Sequence, residues 1–495
     1  MGSSRRTLVV AILGSSMAFL DGSVVNVALP VVQRELAMSA GLAAWIVEAY
    51  ALFLSSLVLV GGALGDRYGR KRVYVTGVAL FTLASLVCAA AGSAHLLVAA
   101  RALQGAGAAL LVPGSLSLIT AAYPAHERGR AIGIWSMFTA VTGAAGPVAG
   151  GYVVAHASWR WIFLFNAPIA AVVVALAYRG VSETRDEEAP PHMDWIGATL
   201  AAAGLGAVVY ALIDDGATTG ARGEALLLAA GAAVLVGFVV FESRAKAPMV
   251  PLSLFRSRVF AGTNVLTLLL YGALGAALYF LPFNLIQVQG YGPTAAGAAL
   301  LPFVIAISAL SPVTGYLASR IGTRRLLVVG PAVAATGFAL IALPGRDGSY
   351  WTTYFPGIAT AGIGMGITVA PLTSAVMGSV ESHRAGVASG VNNAVARAAS
   401  LLAIAGLGLV LRARFDGVLD RQLGELRLPV AIAERVAAER TKLAGADLSG
   451  LDPATFQSVR AAFDDAYLAG FRALAFTCAL LAAAGALVGL ALPRR

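Results

Sequence analysis

The feature that most constrains this chain is a succession of apolar runs, each about twenty residues long and bounded by short polar segments. A helical run of that length spans the hydrocarbon core of a bilayer. Fourteen such runs occur, at about 8–30, 43–64, 73–92, 96–119, 131–154, 161–179, 194–213, 224–242, 260–285, 294–318, 326–344, 351–378, 386–411 and 466–490. Hydrophobic residues make up 58% of the 495 residues and charged residues 12%, which excludes a soluble protein of ordinary composition. The sequence therefore predicts an all-α membrane protein with 14 transmembrane helices.

The short polar segments are unequally charged, and this sets the predicted orientation. Those on the side of the amino terminus carry twenty Lys or Arg residues, whereas those on the opposite side carry four. Basic residues are enriched in cytoplasmic loops. We therefore expect both termini in the cytoplasm. The same rule explains the net charge of +10, and no basic stripe with interleaved aromatic residues suggests nucleic acid as a partner.

One polar loop returns later in the chain. Residues 62–72 read Gly-Ala-Leu-Gly-Asp-Arg-Tyr-Gly-Arg-Lys-Arg, and 315–325 repeat the Gly, Leu, Arg, Gly and two basic positions at an offset of 253 residues. The stretches 127–131 and 381–385 match at an offset of 254 residues. Parallel repeats of this kind are typical of some secondary transporters. The chain is thus predicted to contain two related halves in the same orientation.

The positions of the two loop copies predict the domain organisation. The first copy follows span 2, and the second copy follows span 10. Two six-helix halves alone would place the second copy after span 8, so the chain contains two additional helices. The predicted division is an N-terminal six-helix half over 1–180, two inserted helices with their linkers over 181–259, and a C-terminal six-helix half over 260–495. The last half includes a long external loop, 412–465, in which 429–443 is predicted to form an amphipathic helix.

Five stretches of the sequence resemble the major facilitator superfamily, and specifically its fourteen-helix drug:proton antiporter family. They are Leu20–Pro30, Gly62–Arg72, Arg101–Gly105, Gly146–Gly151 and Trp159–Asn166. The resemblance covers nearly the whole chain except the 412–465 loop. It implies a major facilitator fold of six, two and six helices in the bacterial inner (plasma) membrane. It also implies proton-coupled efflux, by alternating access, of small amphipathic drugs or antibiotics, cationic ones among them.

Ionisable side chains inside the predicted spans are few, and each costs about 2.5–3.5 kcal/mol at a helix centre on insertion scales. Asp21 lies near the middle of the first span, Glu48 in the second and Arg101 in the fourth. A carboxylate in a partly dry cavity can load and release protons, so these three residues are candidates for proton coupling or substrate binding. A static buried pair is the alternative for Asp21 and Arg101. Glu48 could instead snorkel to water.

Other polar residues in the spans are candidates for the cavity. Gln104 lies one helical turn from Arg101 on the same face and could orient it. Asn392, Asn393 and Arg397 could face the cavity from the C-terminal half, with interhelical hydrogen bonding as the alternative.

Two sets of residues are candidates for conformational roles. The resemblance implies that Asp66 and its basic neighbours latch the two halves together, and the latch set is Gly62, Asp66, Arg67, Gly69 and Arg70. In the fifth span, small residues permit the close approach of a neighbouring helix, and a proline permits a bend in the span itself. Both features suit either gating or ordinary helix packing. That set is Gly146, Pro147, Gly150 and Gly151.

Other chemistries find no support in the sequence. It contains no nucleotide-binding loop, catalytic-triad spacing or metal-ligand spacing, so neither an enzyme nor a cofactor or metal is expected. An ion gradient is the expected energy source, and a monomer is the expected state. Two alternatives stay open, namely a dedicated exporter or importer of a single metabolite, and a membrane sensor that does not transport.

Overall fold

In the computed structural model the chain is all-helical over the residues described, which are 3–493 except 37–39, 187–193, 215–219, 247, 249, 347, 382–383, 427, 447 and 450. The first helices are α1 (Ser3–Glu35), α2 (Ala40–Tyr68), α3 (Arg70–Ala90), α4 (Ala94–Ala122), α5 (Ala125–His156), α6 (Trp161–Leu164) and α7 (Asn166–Gly180). Two more follow, α8 (Trp195–Asp214) and α9 (Gly220–Arg244). The last are α10 (Arg258–Phe283), α11 (Pro293–Ala298), α12 (Leu301–Ile321), α13 (Thr323–Ile341), α14 (Tyr354–Gly378), α15 (Ala385–Leu426), α16 (Val430–Glu439) and α17 (Pro453–Ala491).

The helices form a multi-pass membrane protein. Among the described residues, twelve helical segments are long and apolar enough to cross a bilayer. Helices α5, of 32 residues, and α8, of 20, lie outside that set. Large apolar side chains such as Leu226, Leu409 and Leu480 are at least 70% exposed. Lipid rather than water is the solvent for such a surface, since each helix satisfies its own backbone hydrogen bonds. The count of fourteen spans stays a prediction.

The helices pack in two groups that contact each other through several helices. In the first group α2 and α3 pack on α4, and α1 packs on α5; in the second, α13 packs on α14 and α17, and α10 packs on α15. Between the groups, α2 contacts α15 and α5 contacts α12. These two contacts correspond under the predicted repeat, because α12 is the counterpart of α2 and α15 is the counterpart of α5. Helix α8 packs on both α2 and α15, with α9 behind it.

Side-chain caps determine where several helices begin. The Ser93 hydroxyl accepts from the Leu96 N–H at the start of α4 (3.4 Å), and Ser257 accepts from the Phe260 N–H near the start of α10 (3.3 Å). Asp452 accepts from the N–H groups of Ala454 (3.2 Å) and Thr455 (3.1 Å) at the start of α17. The hydrogen bonds from Thr455 hold the pKa of Asp452 below its usual value.

The segment predicted as a long loop, 412–465, is mostly helical. Helix α15 continues to Leu426 and α17 begins at Pro453, so only the short helix α16 and its connections lie between them. The continuation has a packing cause, because the fully buried Phe415 lies 5.8 Å from Phe463, measured between ring centroids. The predicted amphipathic helix over 429–443 corresponds to α16, Val430–Glu439.

At the far end of α1, Glu35 holds the connection between α5 and α6. Trp159 Nε1 donates to the Glu35 carboxylate (2.8 Å), and Arg160 forms an ion pair with it. Arg160 also donates to the Ala91 carbonyl at the end of α3 (3.1 Å). The Arg160 and Trp159 hydrogen bonds hold the pKa of Glu35 below its usual value. The Trp159–Asn166 stretch thus fixes three helix ends together.

Candidate functional site

A buried polar cluster surrounds Asp21 inside the first group of helices. The Asp21 carboxylate forms an ion pair with the Arg101 guanidinium, and both side chains are at most 1% exposed. Gln104 donates from Nε2 to Asp21 Oδ1 (2.8 Å) and accepts from Arg101 Nη1 through Oε1 (2.6 Å). Ser85 accepts from Gln104 Nε2 (2.7 Å), and Asn166 Nδ2 donates to Asp21 Oδ1 (3.4 Å). Helices α1, α3, α4 and α7 therefore contribute to one hydrogen-bonded cluster around Asp21.

Arg101 has partners besides Asp21. Its Nε donates to the Ile46 carbonyl (2.8 Å), and its guanidinium carbon lies 4.4 Å from the centre of the Tyr50 ring. If the Asp21 carboxylate becomes protonated, Arg101 keeps its contacts with the Ile46 carbonyl, the Tyr50 ring and Gln104. A buried charge is costly unless it is paired and hydrogen-bonded. This redundancy therefore lowers the cost of opening the Asp21–Arg101 pair.

The remaining members of this cluster were not predicted from the sequence. Ser85 and Asn166 lie in largely apolar helices, and no spacing relates them to Asp21. Glu48, a predicted coupling residue, lies on α2 and is partly exposed, with a polar interaction of its own. Unlike Asp21, which is 1% exposed, the Glu48 residue is partly accessible at the molecular surface.

A cavity of about 630 Å³ lies between the two groups of helices. Its aromatic lining residues are Phe19, Trp135, Tyr271 and Phe303. Three residues predicted from the sequence, Asn392, Asn393 and Arg397, line it from α15. Pockets of this size and character suit small ligands that carry an apolar body and a few polar groups.

A hydrogen-bonded chain orients Trp135 on the cavity wall. Trp135 Nε1 donates to Ser15 Oγ (3.0 Å), and Ser15 donates to Ser115 Oγ (2.7 Å). Phe19 packs edge-on against the indole, with ring centroids 6.4 Å apart. These hydrogen bonds join α5 to α1 and α4, so the cavity wall has a fixed geometry on that side. No sequence signal identified these serines.

The charge on the cavity wall is positive. Arg397 is the basic residue among the described lining residues, which include neither Asp nor Glu. Its Nε is buried without a hydrogen-bond partner among the described residues. Asn392 is already engaged, since its Nδ2 donates to Thr267 Oγ1 (2.8 Å). The predicted recognition of cationic drugs therefore has no carboxylate on the described wall to support it.

Asp66 of the latch set joins the two groups of helices at the end that carries the 62–72 loop, here called the basic end. Its Oδ1 accepts from Arg70 Nε and Nη2, both at 2.9 Å, within the first group. Its Oδ2 accepts from the Val387 N–H (2.8 Å) at the start of α15, in the second group. The Asp66 and Arg70 side chains are at most 5% exposed. A single buried carboxylate thus bonds to both groups.

The other latch residues shape the turn between α2 and α3. Gly69 adopts a φ of +110°, in the region that favours glycine, and a Cβ there would lie 2.8 Å from the Glu183 carboxyl carbon. Glu183 in turn accepts from the N–H groups of Lys71 (3.0 Å) and Arg72 (3.1 Å), which caps α3. Arg67 lies 5.3 Å from the centre of the Tyr68 ring.

Two glycine pairs bring the groups into backbone contact at the basic end. A Cβ on Gly62 would collide with the Gly386 carbonyl oxygen, and a Cβ on Gly315 would collide with that of Gly129. The repeat relates these pairs, because Gly315 is the counterpart of Gly62 in the loop copies. The position equivalent to Asp66 is Ser319, whose hydroxyl bonds its own helix at Tyr316 (2.7 Å). The glycine contact therefore occurs in both copies of the repeat, whereas the carboxylate latch occurs in the first copy and has a serine in its place in the second.

The small residues of α5 pack against α1. A Cβ on Gly146 would collide with Ser23 Oγ and lie 3.2 Å from the Val24 nitrogen, and a Cβ on Gly150 would collide with the Val24 side chain. Pro147 and Gly151 belong to the same helix, but their side-chain positions lie outside the described residues. Close approach of α5 and α1 is thus present at Gly146 and Gly150; a gating role stays a prediction.

Comparison with known proteins identifies the family. A family model described as Major Facilitator Superfamily matches residues 11–404. The chain belongs to the major facilitator superfamily. Its fold agrees, since the structure of the proton:xylose symporter XylE matches 99% of this chain and 96% of that chain with a TM-score of 0.63 at 14% identity. The structure of the human organic anion transporter MFSD10 matches 99% of this chain and all of that chain, with a TM-score of 0.62 at 15% identity.

Relatives within the major facilitator superfamily are drug and antibiotic resistance transporters. Multidrug resistance protein Stp of Mycobacterium tuberculosis is 35% identical over 88% of this chain and 80% of that protein. The methylenomycin A resistance protein of Bacillus subtilis is 35% identical over 82% of this chain and 87% of that protein. The tetracenomycin C resistance and export protein of Streptomyces glaucescens is 32% identical over 89% of this chain and 82% of that protein. These similarities support drug efflux.

Proposed function

We propose that this chain exports small amphipathic molecules in exchange for protons, by alternating access between two six-helix halves that flank the inserted pair α8 and α9. The observation that carries the proposal is the buried Asp21 cluster beside a cavity shared by both groups of helices. In this proposal the protein is a monomer in the bacterial plasma membrane, and both termini lie in the cytoplasm. The resistance and export proteins among its relatives support the direction of transport.

The hydrogen bonding of the Asp21 cluster suits a proton site. When the Arg101 pair opens, an unpaired carboxylate in an apolar interior is costly, so proton uptake becomes favourable. Gln104 and Asn166 still donate to the protonated acid, and Arg101 keeps Ile46 and Tyr50. Both protonation states of Asp21 therefore keep hydrogen-bond donors to the carboxyl group, as a group that cycles between them requires.

The cluster and the cavity are connected through short segments of α1 and α2. Phe19, on the cavity wall, lies two residues before Asp21, and Ala51, also on the wall, follows Tyr50. The Tyr50 hydroxyl donates to the Ala18 carbonyl (3.0 Å), which ties α2 to α1 at that level. A movement of α1 that opens the Asp21–Arg101 pair would therefore reshape the wall that holds the substrate.

The contacts at the basic end support a conformation closed on that side. The two glycine pairs and the Asp66–Val387 bond close the gap between the groups there. We propose that substrate leaves from the opposite, outer side in this conformation. The reverse conformation would break these contacts.

A transport assay with three amphipathic dyes of different charge tests this function: neutral N-phenylnaphthylamine, anionic anilinonaphthalene sulfonate and cationic ethidium. Cells without their own efflux pumps, expressing the chain, should expel at least one dye that control cells retain. A protonophore should abolish that export. Export that persists after the gradient collapses would contradict proton coupling, and binding without export would favour the sensor alternative. Accumulation above that of control cells would indicate an importer.

A further inference from the structure

The central cavity carries an uncompensated positive charge. Arg397 lies on its wall, and the described lining residues include no acidic side chain. The guanidinium Nε is shielded from solvent and has no hydrogen-bond partner among the described residues. Asp21, the acid of the adjacent cluster, is already paired with Arg101. A shielded charge of this kind is normally compensated by an opposite charge.

Neighbouring polar groups do not neutralise Arg397. Asn393, one turn earlier on the same face of α15, donates to the Ser389 carbonyl (2.9 Å). Ser400, nearly one turn later, donates to the Tyr271 carbonyl (3.1 Å). Tyr50 interacts electrostatically with Asp21, Arg101 and Arg397. The region is therefore net positive when the Asp21–Arg101 pair is counted as neutral.

We propose that Arg397 binds the acidic group of the transported molecule, so that the substrates of this chain are amphipathic anions. This inference rests on the proposed efflux function and specifies its substrate class. A guanidinium forms two parallel hydrogen bonds to a carboxylate, sulfonate or phosphate group, which gives both charge compensation and orientation. The aromatic residues Phe19, Trp135 and Phe303 then contact the apolar body of the ligand.

A second polar group on the wall is free to bind the ligand. The Ser136 hydroxyl, on α5, lines the cavity, is 4% exposed and has no hydrogen-bond partner among the described residues. Ser136 belongs to the first group of helices and Arg397 to the second. An anion that contacts both would bridge the two halves, as alternating access requires of a substrate.

The test compares dye binding by purified protein in lipid nanodiscs, with empty nanodiscs subtracted. Anilinonaphthalene sulfonate and N-phenylnaphthylamine share the same aromatic body and differ in the sulfonate. The wild type should bind the anionic dye at least tenfold more tightly than the neutral one, equivalent to about 1.4 kcal/mol. Arg397→Gln should abolish this preference by weakening the anionic dye alone, and Arg397→Lys should retain part of it.

The matched control is Arg414→Gln, which removes an exposed cation from the same helix, outside the cavity. It should bind both dyes as the wild type does. Unchanged binding of the neutral dye to Arg397→Gln shows that the variant is folded. An undiminished anion preference in Arg397→Gln would overturn the inference, as would tighter binding of ethidium than of the sulfonate by the wild type.

The binding and transport results separate the two proposals. Export of the neutral dye by a protein with no anion preference would overturn the Arg397 inference and leave the efflux function standing. An anion preference that depends on Arg397, in a protein that exports no dye, would support the binding inference and remove the efflux function.

Discussion

Replacement of Asp66 by Asn tests whether the carboxylate holds the two halves together at the basic end. The carboxylate bonds Arg70 within one group of helices through Oδ1 and the Val387 N–H of the other group through Oδ2. An amide has one acceptor oxygen, so the substituted side chain can satisfy Arg70 or Val387 but not both. The Val387 bond crosses between the halves, and its loss favours the conformation that opens at this end.

The magnitude follows from the charge on the acceptor. A hydrogen bond to a charged group contributes about 1.5–3 kcal/mol. Its loss should shift the ratio of closed to open protein by roughly 10- to 150-fold, because each 1.4 kcal/mol is a factor of ten. We expect substrate binding to stay largely intact and export to fall at least tenfold, since the cycle returns slowly to the closed conformation.

Spin labels at Arg72 and Ser319 provide the assay. Both positions are exposed at the basic end, one in each group of helices, and can be changed to Cys in a background without Cys88 and Cys478. The distance distribution of Asp66→Asn should gain a longer component. The matched control, Glu183→Gln, removes a carboxylate that caps α3 within one half and does not bridge the halves.

Two results would refute this reasoning. A folded Asp66→Asn protein with the wild-type distance distribution would show that the Val387 bond does not hold the halves closed. An equal shift in Glu183→Gln would show that loss of any carboxylate at this end has the same effect. Loss of binding with unchanged turnover of bound substrate would place the loop in the substrate site instead.

Three further predictions concern proton coupling, topology and helix packing. Asp21→Asn should reduce the protons released when substrate binds to purified protein near neutral pH; equal release from both proteins would exclude Asp21 and leave Glu48 as the candidate. Single cysteines at Ser182 and Ser449, in the background without native cysteines, should react with an impermeant reagent from opposite sides of the membrane, and labelling from one side would contradict the fourteen-helix count. Gly146→Val should lower the melting temperature in detergent, because overpacking costs about 1–3 kcal/mol where the Cβ meets Ser23 and Val24. Gly143→Val, whose Cβ meets nothing within 4 Å, should retain the wild-type value, and equal melting temperatures would contradict the close α1–α5 packing.

Much of the fold could be predicted from the sequence because the bilayer imposes a simple rule on it. Backbone polar groups in lipid must be satisfied within each helix, so a spanning segment must be a long apolar run, and such runs can be read one at a time. The superfamily was likewise predicted from short stretches and is confirmed by the family model, and the drug and antibiotic resistance proteins among the relatives support the predicted drug efflux. Rare polar residues in those runs, such as Asp21 and Arg101, could be recognised individually because each one is costly.

The partners of those residues were decided by the tertiary structure. Asn166 reaches Asp21 because α7 packs on α1, and Ser85 joins the cluster by accepting from Gln104 and Asn166 because α3 packs on α4 and α7. Neither residue has a local sequence signal that relates it to Asp21. The sequence predicted no contact for Gly129 or Gly386, although the first contacts Gly315 and the second Gly62 across the interface between the halves. The extension of α15 through the predicted loop depends on Phe415 packing against Phe463, a contact between segments far apart in the chain. Composition and spacing specify which segments enter the membrane, whereas the contacts between segments depend on helix packing, which a linear pattern does not encode.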